Sequence, residues 1–231
     1  MASTASTSAP PPRDKRIIFI RHGTTEMNER MKEVPWFSPK FVDAGLWDTR
    51  LSEKGAAQAK EVHQCLIDSG ESTYKLSTVE ALIASPLTRT LQTAELIFGQ
   101  LLPGIPRISQ PLLRERVYLS SEVGRPKSVL EREYPQWDLS ALPDTPCVDS
   151  VDAYVEWRPP GLYCVEGEPL SVFVHRMREL KAWLGQRPED CIAVVAHWGV
   201  IKALTGYEAG NCEIVERTLA QLSEEPVVDP Y

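Results

Sequence analysis

The sequence predicts an α/β fold: a three-layer, doubly wound, mostly parallel sheet with helices on both faces and a cap insertion. Two observations carry that reading. Short continuous runs of apolar, largely β-branched residues alternate with longer stretches in which apolar residues recur every three or four positions. The length of 231 residues, with 42% hydrophobic and 25% charged, is that of one large globular domain.

The first element is the run Arg16-Ile17-Ile18-Phe19-Ile20, a strand buried on both faces of a parallel sheet, which leaves Arg21 and His22 at its C-terminal end. Ser52 begins a helix striped by Ala56, Ala59, Val62 and Leu66 and closed by Gly70 as C-cap. A second strand is expected from Val79 to Ala84. Ser85-Pro86 reads as an N-cap followed by Pro at the first helical position, with Leu87, Leu91, Ala94 and Phe98 as the apolar stripe. That helix carries Arg89 in its first turn. From Gly99 to Gly167 the chain is irregular and Pro-rich, with one helix predicted over Lys127 to Glu133, and it is expected to form the cap, roughly residues 100–167. Phe173, Met177, Leu180 and Leu184 then repeat at helical spacing, and Cys191 to Ala196 is a further buried strand ending at His197. Helices are predicted at Val200 to Leu204 and at Cys212 to Leu222.

Residues 1–14 are mostly Ser, Thr, Ala and Pro, a composition that cannot offset its ordering entropy, so a flexible tail is expected before a single domain at 15–231. The tail shares its Ser-rich, acidic-poor character with transit peptides but is short. No apolar run reaches the roughly 18 residues of a membrane span, and a cytoplasmic location is the default expectation. The net charge of −7 and pI near 5.2 argue against nucleic-acid and membrane partners, since both need a basic face. Cys65, Cys147, Cys164, Cys191 and Cys212 form an odd set without close pairs and are read as reduced thiols. Oligomeric state is not legible.

Two of the four histidines, His22 and His197, directly follow the two most hydrophobic strands, so both belong at one edge of the sheet, where α/β folds place their sites. Arg21 flanks His22, the segment from Gly23 through Thr24 to Asn28 is rich in small hydroxyls and donors, and Arg89 arrives at another strand end. Two planar guanidinium forks suit phosphate oxygens. Each residue alone has an ordinary structural reading; together they describe a phosphate pocket. Other phosphate chemistries lack their signatures. No cysteine has an Arg six residues on, there is no Gly-Lys dipeptide, and there is no Gly-x-Ser-x-Gly.

The chain resembles the histidine phosphatase superfamily, the branch that includes the cofactor-dependent phosphoglycerate mutases. The resemblance lies in Arg21-His22-Gly23-Thr24-Thr25-Glu26-Met27-Asn28, Asp48 through Ala59, Ser85 through Ala94, Leu113-Arg114-Glu115, and Val194 through Gly199. It implies that His22 is the nucleophile, Arg21 and Arg89 clamp the phosphate, His197 is the second pocket histidine, and Glu115 protonates the leaving group. Asn28 and the backbone after His197, at Trp198, would lie against the phosphate, with Thr24 a further binding candidate. Glu168 is an acidic alternative to Glu115.

On this scheme His22 attacks as a neutral ring, its pKa lowered by the arginines, while a protonated His197 helps to neutralise the transition state. No metal or cofactor is required. The segment Arg114-Glu115-Arg116-Val117-Tyr118 lacks the Tyr-Gly-type continuation of the mutases, which favours hydrolysis of a small phosphorylated metabolite, such as a sugar phosphate or phosphoglycerate, over mutase-type phosphotransfer. A catalytically silent phosphate-binding adaptor is the reading from another class. In the cap, Arg116, Arg125, Lys127 and Arg158 are candidates to read a second anion or are surface charges. Trp137 and Trp157 are candidates for the cap's inner wall or for core packing.

Overall fold

The structure, a computed structural model, describes residues 14–34, 38–69, 74–143 and 168–228. Residues 1–13 of the tail, Gly70, Cys147, Trp157, Arg158 and Cys164 lie outside them. Five strands form one sheet: β1 (Arg16–Arg21), β2 (Ala81–Ala84), β3 (Arg107–Ser109), β4 (Cys191–Ala196) and β5 (Ile214–Thr218). Their order across the sheet is β3-β2-β4-β1-β5, all parallel except β5, which runs antiparallel to β1. Helices are α1 (Glu26–Glu33), α2 (Glu53–Ser69), α3 (Thr88–Phe98), α4 (Lys127–Glu133), α5 (Leu170–Gln186) and α6 (Trp198–Thr205).

The period-2 alternation of the strands divides the core into two layers. Ile18, Ile20, Leu82, Ala84, Ala193 and Val195 pack against Ala59 and Leu66 of α2 and Leu91, Ala94, Ile97 and Phe98 of α3. Ile17, Phe19, Ala81, Ile83, Ile192, Val194 and Ala196 face the other way, onto Phe173, Met177, Leu180 and Leu184 of α5 and Val200, Ile201, Ala203 and Leu204 of α6. Helices thus cover both faces, as a parallel sheet requires. Trp137 belongs to the first layer, nearly buried, with its indole N–H on Glu95 Oε1 at 2.7 Å. No helix among the described residues is long and apolar enough to cross a membrane.

Three sequence expectations are corrected. β2 starts at Ala81 rather than Val79. The helix expected to be capped by Ser85 begins at Thr88, with Leu87 at its cap position offering no side-chain bond. The cap comes from a distance: Asp48 Oδ1 accepts the Thr88 N–H at 2.7 Å and Oδ2 the Thr88 hydroxyl at 2.5 Å. Ser85 Oγ accepts the Leu87 N–H at 3.3 Å and also stands 2.8 Å from His197 Nε2 in the site. Finally, Cys212 to Leu222 is not a helix but β5 followed by a short 3₁₀ turn at Leu219–Gln221. The free edge of β1 needs backbone partners, and Ile214-Val215 supplies a β-branched segment to fill it.

Candidate active site

Parallel pairing of β1 with β4 sets Arg21 opposite Ala196, so the next residues, His22 and His197, leave the sheet side by side. The His22 N–H donates to the Ala196 carbonyl at 3.0 Å, and the two imidazole rings lie 5.1 Å apart, edge to face. Both rings are buried. His22 Nδ1 is 2.7 Å from the Gly23 carbonyl oxygen. A carbonyl only accepts, so Nδ1 carries the proton and Nε2 the lone pair. Gly23 is required by close approach, because a Cβ there would sit 2.6 Å from the Gly55 carbonyl oxygen at the start of α2. Asn211 Nδ2 donates to the His22 carbonyl at 2.9 Å and holds the loop from the other side.

Burial lowers the His22 pKa well below its ordinary value, with Arg89 and then Arg21 adding charge repulsion, so the ring is neutral near pH 7. The same forces act on His197: burial first, then Arg89, His22 and Arg21. These forces favour the neutral ring at His197, as they do at His22. Its Nε2 is 2.8 Å from Ser85 Oγ, while its buried Nδ1 has no hydrogen-bond partner among the described residues.

The arginines converge from different elements. Arg21, ending β1, donates through Nη1 to the Ala209 carbonyl at 2.9 Å, and its buried Nε has no partner among the described residues. Arg89, in the first turn of α3, is 3% exposed and donates through Nη1 to the Ser121 carbonyl at 2.6 Å. Its Nη2 stands 3.8 Å from Glu122 Oε1.

Glu115 lies across from this group. Its carboxylate accepts the Arg116 N–H at 2.9 Å and the Gly199 N–H at 3.0 Å, the latter in the first turn of α6. Gly199 makes room for it, since a Cβ there would lie 2.5 Å from Glu115 Oε1. Glu168, the acidic alternative, is excluded from that part. Fully buried, it is gripped by Arg114 at 2.9 Å and Arg176 at 2.7 Å. Burial would raise its pKa, but the two arginines outweigh it and hold the carboxylate ionised.

Glu122 was not foreseen. Burial pushes its carboxyl up to about 7, against the opposing pull of Arg89 and hydrogen bonds from the Ser121 hydroxyl and the Leu119 N–H. No motif marks it. Only its 3.8 Å approach to Arg89 reveals it.

Of the binding candidates, Thr24 is turned away, its hydroxyl donating to Gln58 Oε1 at 2.8 Å. Asn28 closes a capping box with Thr25 at the start of α1, accepting the Thr25 N–H through Oδ1 at 3.1 Å. Trp198 lines a cavity of about 410 Å³ together with Arg21, Glu115 and Glu122. His22 and Arg89 are not on its wall, which Arg21, next to His22 in sequence, and Glu122, beside Arg89, do line. Of the cap charges, Arg116 lines the cavity, whereas Arg125 pairs with Glu133 at 3.0 Å and Asp48 at 3.4 Å.

A neutral histidine presenting a lone pair, beside buried guanidinium donors and an acid, is equipped for phosphoryl chemistry. The model of the histidine phosphatase superfamily (branch 1) matches residues 17–212. Comparison with curated proteins finds no match. Among solved structures, the ecdysone phosphate phosphatase of Bombix mori, in complex with tungstate, is 16% identical, with a TM-score of 0.55 over 94% of this chain and 93% of that one. The product of open reading frame Rv3214 of Mycobacterium tuberculosis is 19% identical, with a TM-score of 0.50 over 93% and 98%. These two likenesses speak for the fold alone. With its family model spanning β1 to the turn before β5, the chain belongs to the histidine phosphatase superfamily, branch 1, and is a phosphoric monoester hydrolase by class.

Proposed function

We propose that this enzyme hydrolyses a small phosphorylated metabolite through a phosphohistidine on His22. The observation that carries the reading is the state of that ring, neutral, with Nδ1 fixed on the Gly23 carbonyl and the lone pair left on Nε2. In the proposed sequence Nε2 attacks phosphorus, the bond to the organic oxygen breaks in line, and Glu115 gives that oxygen a proton. Arg21, Arg89 and the orphan Nδ1 of His197 face the charge on the equatorial oxygens, with each guanidinium contributing roughly 3 kcal/mol. The Trp198 amide, at the first position of α6, is a further donor for the phosphate, and Asn28 stands at the start of α1. Thr24 is reassigned to holding the loop. Water, deprotonated by the Glu115 carboxylate, then attacks the phosphohistidine, releasing phosphate and restoring neutral His22.

The test is phosphate release from a generic ester, comparing the parent with His22→Ala, joined to trapping of the phosphoenzyme. Loss of turnover and of an acid-labile phosphoenzyme in the variant is expected. Equal rates would sink the reading and leave the adaptor. Dominant isomerisation of phosphoglycerate over phosphate release would turn it into a mutase.

A further inference from the structure

The cavity of about 410 Å³ beyond Arg21, Glu115 and Glu122 is far larger than a phosphate group. Its other described walls include Met31 of α1, Leu119, Phe173 of α5, Trp198 of α6, and Val227 and Val228 of the C-terminal segment, with the Tyr118 phenol as a polar member. That segment is fixed over α6 by the Val227 N–H on the Ala203 carbonyl at 2.9 Å. The side chains of Leu119, Phe173, Val227 and Val228 carry no hydrogen-bonding group, so a sugar ring placed against them would leave hydroxyls desolvated and unpaired.

Two cations also line the cavity, and both are already engaged. Arg116 Nε donates to the Glu168 carbonyl at 2.8 Å, with its guanidinium 4.7 Å from the centre of the Tyr118 ring. Lys202 Nζ is 2.7 Å from Glu208 Oε1 and 4.7 Å above the Trp198 ring. A second anion would have to compete with those partners.

We infer that the organic group of the substrate is apolar, an alkyl chain or an aromatic ring, held between Met31, Phe173, Trp198 and the Val227-Val228 segment. This rests on the phosphatase reading, which puts the phosphate at the Arg21 end. It replaces phosphoglycerate and sugar phosphates as the expected class.

Binding of methyl-, butyl-, hexyl- and benzylphosphonate, measured by calorimetry, tests it without turnover. Affinity is expected to rise roughly two- to four-fold per methylene as the chain enters the pocket. Met31→Glu and Val227→Asp, both at positions open enough to accept the change, are expected to flatten that series. A flat series in the parent, or tighter binding of doubly anionic phosphonoacetate than of hexylphosphonate, would overturn the inference. Phosphate release from hexyl phosphate, with and without His22→Ala, separates the two readings. A rising series without release removes hydrolysis and keeps the ligand class. His22-dependent release with a flat series removes the ligand class alone.

Discussion

Glu115 and Glu122 put two carboxyl groups on the wall of one cavity, and their surroundings separate them. Glu115 is held by the Arg116 and Gly199 N–H groups, whereas Glu122 is mostly withdrawn from solvent beside Arg89 and keeps its proton to about pH 7. A proton donor matters most when the leaving oxygen is poor. Glu115→Gln is therefore expected to slow release from an alkyl phosphate roughly 100-fold or more, and release from 4-nitrophenyl phosphate far less. Comparable losses on both esters, with a leaving-group-dependent loss in Glu122→Gln, would transfer the donor role to Glu122. At this scale, residues written into contiguous text were legible: Arg21-His22-Gly23, Arg89 after Ser85-Pro86, and His197 after its strand. Glu122 and Asn211 were not, because each acts on a residue far away in sequence, Arg89 and His22 respectively.

Elements were read well where one signal dominated. Continuous apolar runs located β1 and β4, and helical spacing located the buried face of α5. The errors arose where tertiary partners overrode local cues. Ser85-Pro86 has the chemistry of a helix start, yet Ser85 Oγ is shared between the Leu87 N–H and His197, and the helix waits three residues for the Asp48 carboxylate. Ile214, Val215, Leu219 and Leu222 mimic helical spacing, but the open edge of β1 selects a strand. Since the Asp48 carboxylate caps the very turn that carries Arg89, Asp48→Ala is expected to cost about 1–2 kcal/mol of stability. It should also lower kcat/KM as Arg89 loses its seat. Asp48→Asn keeps an oxygen for the Thr88 N–H and should recover much of both. Urea unfolding with steady-state kinetics checks this, and loss of stability with unchanged kinetics would detach the cap from the site.

For the whole molecule, the class of fold was legible, but the insertion of β4 between β1 and β2 was not, since strand order depends on long-range pairing that no local pattern records. That order makes His22 and His197 neighbours and buries both rings, with a consequence for stability. Their folded pKa values are depressed, so between the unfolded value near 6.5 and the folded values the unfolded chain binds two protons that the folded one refuses. Their stabilisation is complete above pH 6.5 and is lost as pH falls. Glu122 acts oppositely: its folded value of about 7 exceeds its ordinary 4.5, so between these limits the folded state binds the extra proton and stability falls as pH rises. The two depressed histidines favour stability that rises from pH 5 to 6, against the opposite pull of the raised carboxyls of Glu122 and Asp48. The urea midpoint of the parent is therefore expected to increase over that range. It should climb more steeply in Glu122→Gln and reverse in the double variant His22→Gln, His197→Gln. If all three proteins keep parallel pH profiles, the two rings are not held neutral in the fold, and the uncharged nucleophile loses its structural basis.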